Sequence, residues 1–177
     1  MRYALGLLGM ALAIGAAPVG ASLGAQTVGT GAAAGHAARA EALPARLEGR
    51  WQMVGVVQGD SVKYTLEAER ALDHRFVVLR MRDEQIPPRY EAHVYVGVDS
   101  ARVIAHWMDV FGAGSSIPHA TGAVVGDTLT LHFAYASGDF RDILTYDRAR
   151  DTWRFLLESA DGRGGWTRFA EYRVRRR

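Results

Sequence analysis

From Leu47 onward the apolar residues recur at a spacing of two, in short runs separated by Gly, Asp, Pro and Ser. That period belongs to strands with one buried face, and runs of this length between turn residues make a meander. The pattern predicts strands at Glu48–Val57, Val62–Leu72, His74–Arg82, Arg89–Val98, Arg102–Phe111, Pro118–Val125, Thr128–Tyr135, Phe140–Asp147, Thr152–Ser159 and Trp166–Arg175. Between them stand Gln58-Gly59-Asp60, Asp99-Ser100, Gly126-Asp127, Ser137-Gly138-Asp139 and Asp161-Gly162-Arg163-Gly164-Gly165. These residues accept positive φ or form side-chain turns, as tight hairpins require. The predicted fold is all-β, a single antiparallel up-and-down sheet of about ten strands. Closure into a barrel removes the exposed edges of so long a sheet, with a sandwich as the competing arrangement.

The segment His106 to Ser116, HWMDVFGAGSS, places a carboxylate two residues from each of two aromatic side chains. If Asp99 to Arg102 is a hairpin turn, Val98 pairs with Val103, Val96 with Ala105, Val94 with Trp107 and Ala92 with Asp109. These residues share one face with Tyr90 and Phe111. It is the apolar face, so Asp109 is expected to point inward. A buried carboxylate has to be paired, protonated, hydrogen-bonded or turned to a watery cavity. One reading makes Asp109 a ligand anchor, in a pocket that is largely apolar with a few convergent polar groups. The other makes it an acceptor for the backbone of the Gly112–Ser116 loop. Further candidates for a cavity are Trp107, Phe111, Arg80 in FVVLRMR, Tyr135 at the end of LTLHFAY, Asp142 and Tyr146 in FRDILTYD, and Glu171 in FAEY. Register decides which of them point inward, since a slip of one residue reverses the face.

The chain before this domain has a different character. Residues 1–26 run from the single charge Arg2 through a Gly/Ala/Leu-rich stretch to small residues around Ala21 to Gln26. That order is the order of a secretory signal peptide, so the protein is expected to be exported, periplasmic or secreted. Pro18 and five glycines make the same segment a poor membrane-spanning helix, and no stable membrane anchor is expected. Residues 27–46 are Gly/Ala-rich and lack a sustained apolar period, which reads as a linker, with a short helix possible around Ala32 to Leu43. Residues 47–177 then form one domain with enough chain for a single core. The absence of cysteine excludes disulfides and a lipid-modified cysteine. A net charge of +2, with arginines scattered along the chain, argues against nucleic acid as a partner.

Signatures of catalysis are missing. GAGSS is not the Gly-x-Ser-x-Gly nucleophile elbow, and there is no phosphate-cradling loop, no His-Glu-x-x-His and no cysteine nucleophile. An acid–base pair of Asp109 with a histidine needs no local motif and stays open. His93 and His106 fall diagonally across one predicted face, but that face is the outer one and only Glu91 adds a nearby acid, so no metal is expected.

Five blocks carry a resemblance. LEGRW at Leu47 to Trp51 resembles the Gly-x-Trp that opens the first strand of lipocalins and other calycin barrels. LDHRF at Leu72 to Phe76, GVD at Gly97 to Asp99, WMDVFGAG at Trp107 to Gly114 and AEYRV at Ala170 to Val174 resemble, in order and spacing, a bacterial lipocalin-like family of unknown function. Its blocks read approximately Gly-Arg-Phe, Gly-Tyr-Asp, Trp-x-Asp-x-x-Gly and Glu-x-x-Tyr. The departures are His74 in place of a glycine and Val98 in place of a tyrosine, the latter expected to alter the lining of a cavity.

The resemblance implies a calycin-type barrel holding a small, often hydrophobic molecule. It also implies that Trp51 plugs one barrel end beneath a basic side chain of a late strand, Arg173 or Arg175. Nitrobindin-like barrels, similar in fold, hold haem on a histidine late in the chain, whereas no histidine follows His132 here. The expected function is therefore non-catalytic binding of a small, mainly hydrophobic molecule, with no cofactor. Candidate ligand contacts are Trp107, Asp109, Phe111, Tyr135, Asp142, Tyr146 and Arg80. A small hydrolase or isomerase using the same cavity, a haem binder and a structural protein with a filled barrel are the alternatives.

Overall fold

The computed structural model describes residue 35 and residues 42–99 and 102–177. Ten strands follow one another: β1 (Gly49–Val57), β2 (Asp60–Ala71), β3 (Phe76–Asp83), β4 (Glu91–Asp99), β5 (Arg102–Asp109), β6 (Ala120–Val125), β7 (Thr128–Tyr135), β8 (Gly138–Asp147), β9 (Thr152–Ala160) and β10 (Trp166–Arg176). Every predicted strand is present, with its ends shifted by at most two residues. Each strand pairs antiparallel with the next, and β1 pairs with β10, so the sheet closes into a barrel rather than a sandwich. This architecture is compatible with a calycin-type fold. The predicted signal peptide and most of the predicted linker lie outside the described residues. At the end of that linker, Leu43 is buried against the core, so packing begins before Leu47.

Alternation sets the faces. On β4 and β5 the pairs Val98/Val103, Val96/Ala105, Val94/Trp107 and Ala92/Asp109 form as the hairpin rule predicts. Val94, Val96, Val103 and Ala105 are almost fully buried, while His106 and Met108 face out. The β1–β2 hairpin closes on Gln58 and Gly59, both at positive φ, which lets the strand twist pass through a two-residue turn.

One barrel end is plugged by side chains. Leu47, Trp51, Leu129 and Val174 have no exposed surface there, and Leu43 lies among them at 3% exposure. Trp51 donates its indole N–H to the Leu47 carbonyl, which fixes the ring across the opening. The guanidinium over it is that of Arg176, 3.8 Å from the ring centre, and not that of Arg173 or Arg175. Parity explains the correction: Ala170, Tyr172 and Val174 point inward on β10, so Arg176 continues their face. Arg176 is held by Asp151 at 2.9 Å and by the Glu48 carbonyl at 2.6 Å.

Two of the blocks that carry the resemblance meet across the sheet. Phe76 pairs with Gly97, and a Cβ at Gly97 would stand 2.7 Å from the Phe76 ring. The ring occupies the space where a side chain would be. Gly97→Val is therefore expected to cost about 1–3 kcal/mol, as overpacking does, with part of the loss recovered when Phe76→Ala is added. Urea unfolding of the two single variants and the double variant checks this. Equal losses with and without Phe76 would contradict it.

The β2–β3 connection puts His74 where the backbone favours glycine. Leu72, Asp73 and His74 all take positive φ, with His74 at 62°. A side chain in that region costs roughly 1–2 kcal/mol, partly offset by the greater freedom glycine has in the unfolded chain. His74→Gly is expected to stabilise the barrel by about 0.5–1 kcal/mol. A lowered thermal midpoint would show instead that the imidazole contributes contacts of its own. Val98, the other departure, lies at the packed end and does not line the cavity described next.

Candidate functional site

The opposite end is hollow. A cavity of about 860 Å³ opens between the β1–β2, β3–β4, β5–β6 and β7–β8 connections. Nine of its lining side chains are aromatic, because many inward positions near this end carry rings. One arc runs from Phe111 to Tyr90, Tyr64 and Tyr172, with successive centroids 6.1, 5.5 and 5.8 Å apart. A second runs from Trp107 through Phe133 and Tyr135 to Phe140 and Phe169, at 6.5, 5.5, 6.3 and 5.3 Å. The Trp107 indole N–H donates to the Tyr90 hydroxyl at 3.0 Å and joins the two arcs. Offset and edge-on contacts of this kind hold rings in place while leaving their inner faces to an occupant.

Three buried or half-buried carboxylates enter this wall, and their circumstances differ. Asp83, at the end of β3, accepts from the backbone N–H groups of Gln85 and Arg89 at 3.1 and 3.2 Å. It fixes the β3–β4 loop. Asp109, at the end of β5, accepts from the Phe111 N–H at 3.0 Å, with the Tyr90 hydroxyl 3.5 Å from its other oxygen. Asp109 thus lines the cavity and at the same time holds the start of its own loop, through Phe111 rather than through Gly112–Ser116.

Asp142 is different. It lies on β8 between Leu131 and Leu157 of the flanking strands, is 1% exposed, and has no hydrogen-bond partner for Oδ1. Burial alone pushes its carboxyl up to about 8, so the acid is protonated and neutral at pH 7 in the empty barrel. Burial likewise raises the phenols of Tyr90 and Tyr172 above their ordinary range. Tyr135 is raised by burial and by the charges of Asp142 and Asp109.

The residues singled out from the sequence separate clearly. Trp107, Asp109, Phe111, Tyr135 and Asp142 all line the cavity. Phe111 does so from the rim at 71% exposure, two residues beyond the end of β5, which stops at Asp109. Tyr146 does not line it: its side chain is inward but near the packed end, where its hydroxyl donates to Asp151. Arg80 does not either. It stands between Leu79 and Met81, which point in, so its own side chain points out and pairs with Glu69 at 2.6 Å. Glu171 is also external, paired with Arg154 and Arg168.

Several lining residues were not anticipated. Tyr64, Phe133, Phe140 and Tyr172 occupy inward positions that alternation alone identifies once the face is known. Phe169 follows no such rule. It is the extra residue of a bulge between Arg168 and Ala170, which breaks the parity of β10 and turns an otherwise outward ring to the mouth.

Among the described residues no histidine lines the cavity. A haem held on histidine therefore does not fit these residues, and none of them offers Asp109 an imidazole with which to form an acid–base pair. Ile86, Phe111 and Ile117 stand strongly exposed on the loops at the open end, which gives the mouth an apolar rim. No protein-family model and no curated protein matches the chain.

Proposed function

We propose that this protein is an exported, lipocalin-like carrier that binds a small, mainly hydrophobic molecule non-covalently in the open half of its barrel. The observation that carries this reading is the cavity itself: about 860 Å³, within the range of small-molecule sites, and walled by nine aromatic side chains. A barrel that served only as a scaffold would fill this space with its own side chains, as Trp51 and its buried neighbours do across the other end. Burial of apolar ligand surface supplies the driving force, at about 25 cal/mol per Å² before ordering costs. The polar groups along the wall give orientation. The apolar rim offers a low-barrier approach for such a molecule, and the leader-like N-terminal segment supports an extracytoplasmic place of work.

Native mass spectrometry of protein purified from its own host tests the reading. The expected result is a co-purifying species of a few hundred daltons that leaves on denaturation. Apo mass alone, together with no binding from a broad lipid and metabolite panel, would overturn it.

A further inference from the structure

We propose that the cavity takes an organic cation, a protonated amine or quaternary ammonium carried on an apolar body, with Asp142 as its counter-ion. This deepens the carrier reading and rests on it. The starting point is a contrast among the three buried or half-buried carboxylates of the wall, the fourth, Asp60, being exposed. Asp83 and Asp109 are satisfied by the backbone amides of their own loops. Asp142, deeper and more buried, has no such amide and no hydrogen bond to Oδ1. Nor does a cation among the described residues reach it. Its neighbour in sequence, Arg141, points outward to Glu158 at 2.7 Å and stacks on Trp166, and none of the ion pairs among the described residues includes Asp142.

A buried acid without a partner is a liability for folding unless something else meets it. Three kinds of occupant can be compared. A ligand with its own carboxylate brings negative charge towards Asp142, Asp109 and Asp83 at once, and among the described residues the only basic one in the wall is Arg89. A neutral ligand leaves Asp142 protonated and gains nothing from its charge. A cation gains twice: it neutralises Asp142, and the faces of the surrounding rings attract it through their quadrupoles. Aromatic rings with one unmatched carboxylate form the combination that selects such ligands.

The proton that Asp142 carries in the empty barrel gives the proposal a second signature. The titratable groups near it are the phenols of Tyr90 on the loop before β4, Tyr135 on β7 and Tyr172 on β10, with Asp109 on β5 nearer the mouth. β9 contributes Leu157 and β7 adds Leu131, neither of which titrates. The phenols stay neutral through pH 8, because burial raises all three. A permanently charged ligand must displace the Asp142 proton, so its affinity is expected to rise about tenfold per pH unit from about pH 6 and to level off above about pH 8.

The test uses four probes of equal chain length: octyltrimethylammonium, octylamine, 1-octanol and octanoate. Binding is read by calorimetry and by quenching of tryptophan fluorescence. At about pH 8 the two cations are expected to bind at least tenfold more tightly than the alcohol and the acid. The affinity of octyltrimethylammonium is expected to climb with pH, and Asp142→Asn should abolish that climb. Alcohol or octanoate binding as tightly as the cations overturns this inference and leaves the carrier reading standing. So does a folded Asp142→Asn variant with unchanged affinity and pH profile for the quaternary probe. Binding of no probe at all overturns both. Should Asp142→Asn fail to fold, the ranking of the four probes and the pH profile of the wild-type protein decide the matter alone.

Discussion

Stability of the empty wild-type barrel is expected to fall by about 1.4 kcal/mol for each pH unit between roughly pH 4 and pH 8, and Asp142→Asn is expected to remove that slope. The folded-state carboxyl of Asp142 is raised to about 8 from an ordinary 3.8. Between those two values the folded protein holds a proton that the unfolded chain releases. The contribution is fully present at pH values below the unfolded value and is lost as pH rises through the folded one. Urea unfolding at about pH 5 and about pH 8 measures it. The difference between wild type and variant should change by about 3–4 kcal/mol over that interval, with the variant relatively more stable at the alkaline end. An asparagine at this depth still leaves a polar group to satisfy, so the diagnostic quantity is the change with pH and not the offset at one pH. A pH-independent difference would mean that Asp142 finds a partner or water in solution.

Replacing Trp51 is expected to have the largest effect at neutral pH. Its ring has no exposed surface, seals the packed end, and lies beneath the Arg176 guanidinium. Trp51→Ala should cost about 3–5 kcal/mol, as removal of a large buried aromatic side chain does. The loss has three parts: the ring's buried area, the void left among Leu47, Leu129 and Val174, and the stacking of the cation. Trp51→Phe keeps most of the area but leaves the Leu47 carbonyl without its indole donor, and is expected to cost less. Denaturant midpoints of the two variants check this order. A loss below about 1 kcal/mol for Trp51→Ala would show that the end can collapse around the missing ring.

Much of the architecture was legible because a period of two is a local signal. Strands, hairpin turns and the inward face of β4 and β5 all follow from it, and Asp109 was placed opposite Ala92 by arithmetic on a single turn. What alternation does not encode is height along the barrel. Tyr146 and Asp142 sit on the same face of the same strand four residues apart, yet one packs at the sealed end and the other lines the cavity. That difference arises from the stagger of all ten strands, which no single hairpin reveals. Arg80 was decidable from its neighbours Leu79 and Met81, whose alternation puts it outside. Phe169 was not, since a bulge leaves no mark in the hydrophobic pattern.

Asp109 and Asp142 differ for a physical reason. An acid followed two residues later by a loop amide satisfies itself locally, as Asp109 does at Phe111. An acid in the middle of a strand has its neighbouring amides committed to the ladder. Asp142 is of that kind, and an inward carboxylate far from any turn is the stronger indication of an external partner.

The pairing of β1 with β10 has a consequence for how the chain comes into being. Eight of the ten strands can pair on both sides with strands adjacent in sequence, but β1 waits for a partner that is made last. Until Ala170–Arg176 is available, the growing sheet carries two unpaired edges, one on β1 and one on its newest strand. Such edges are templates for pairing with other chains. Sealing the seam joins segments distant in the chain and so bears the largest loop-closure cost of any pairing in the fold. The last strand to be synthesised therefore acts as the clasp of the barrel, and with Arg176 over Trp51 it brings the cover of the plug in the same step.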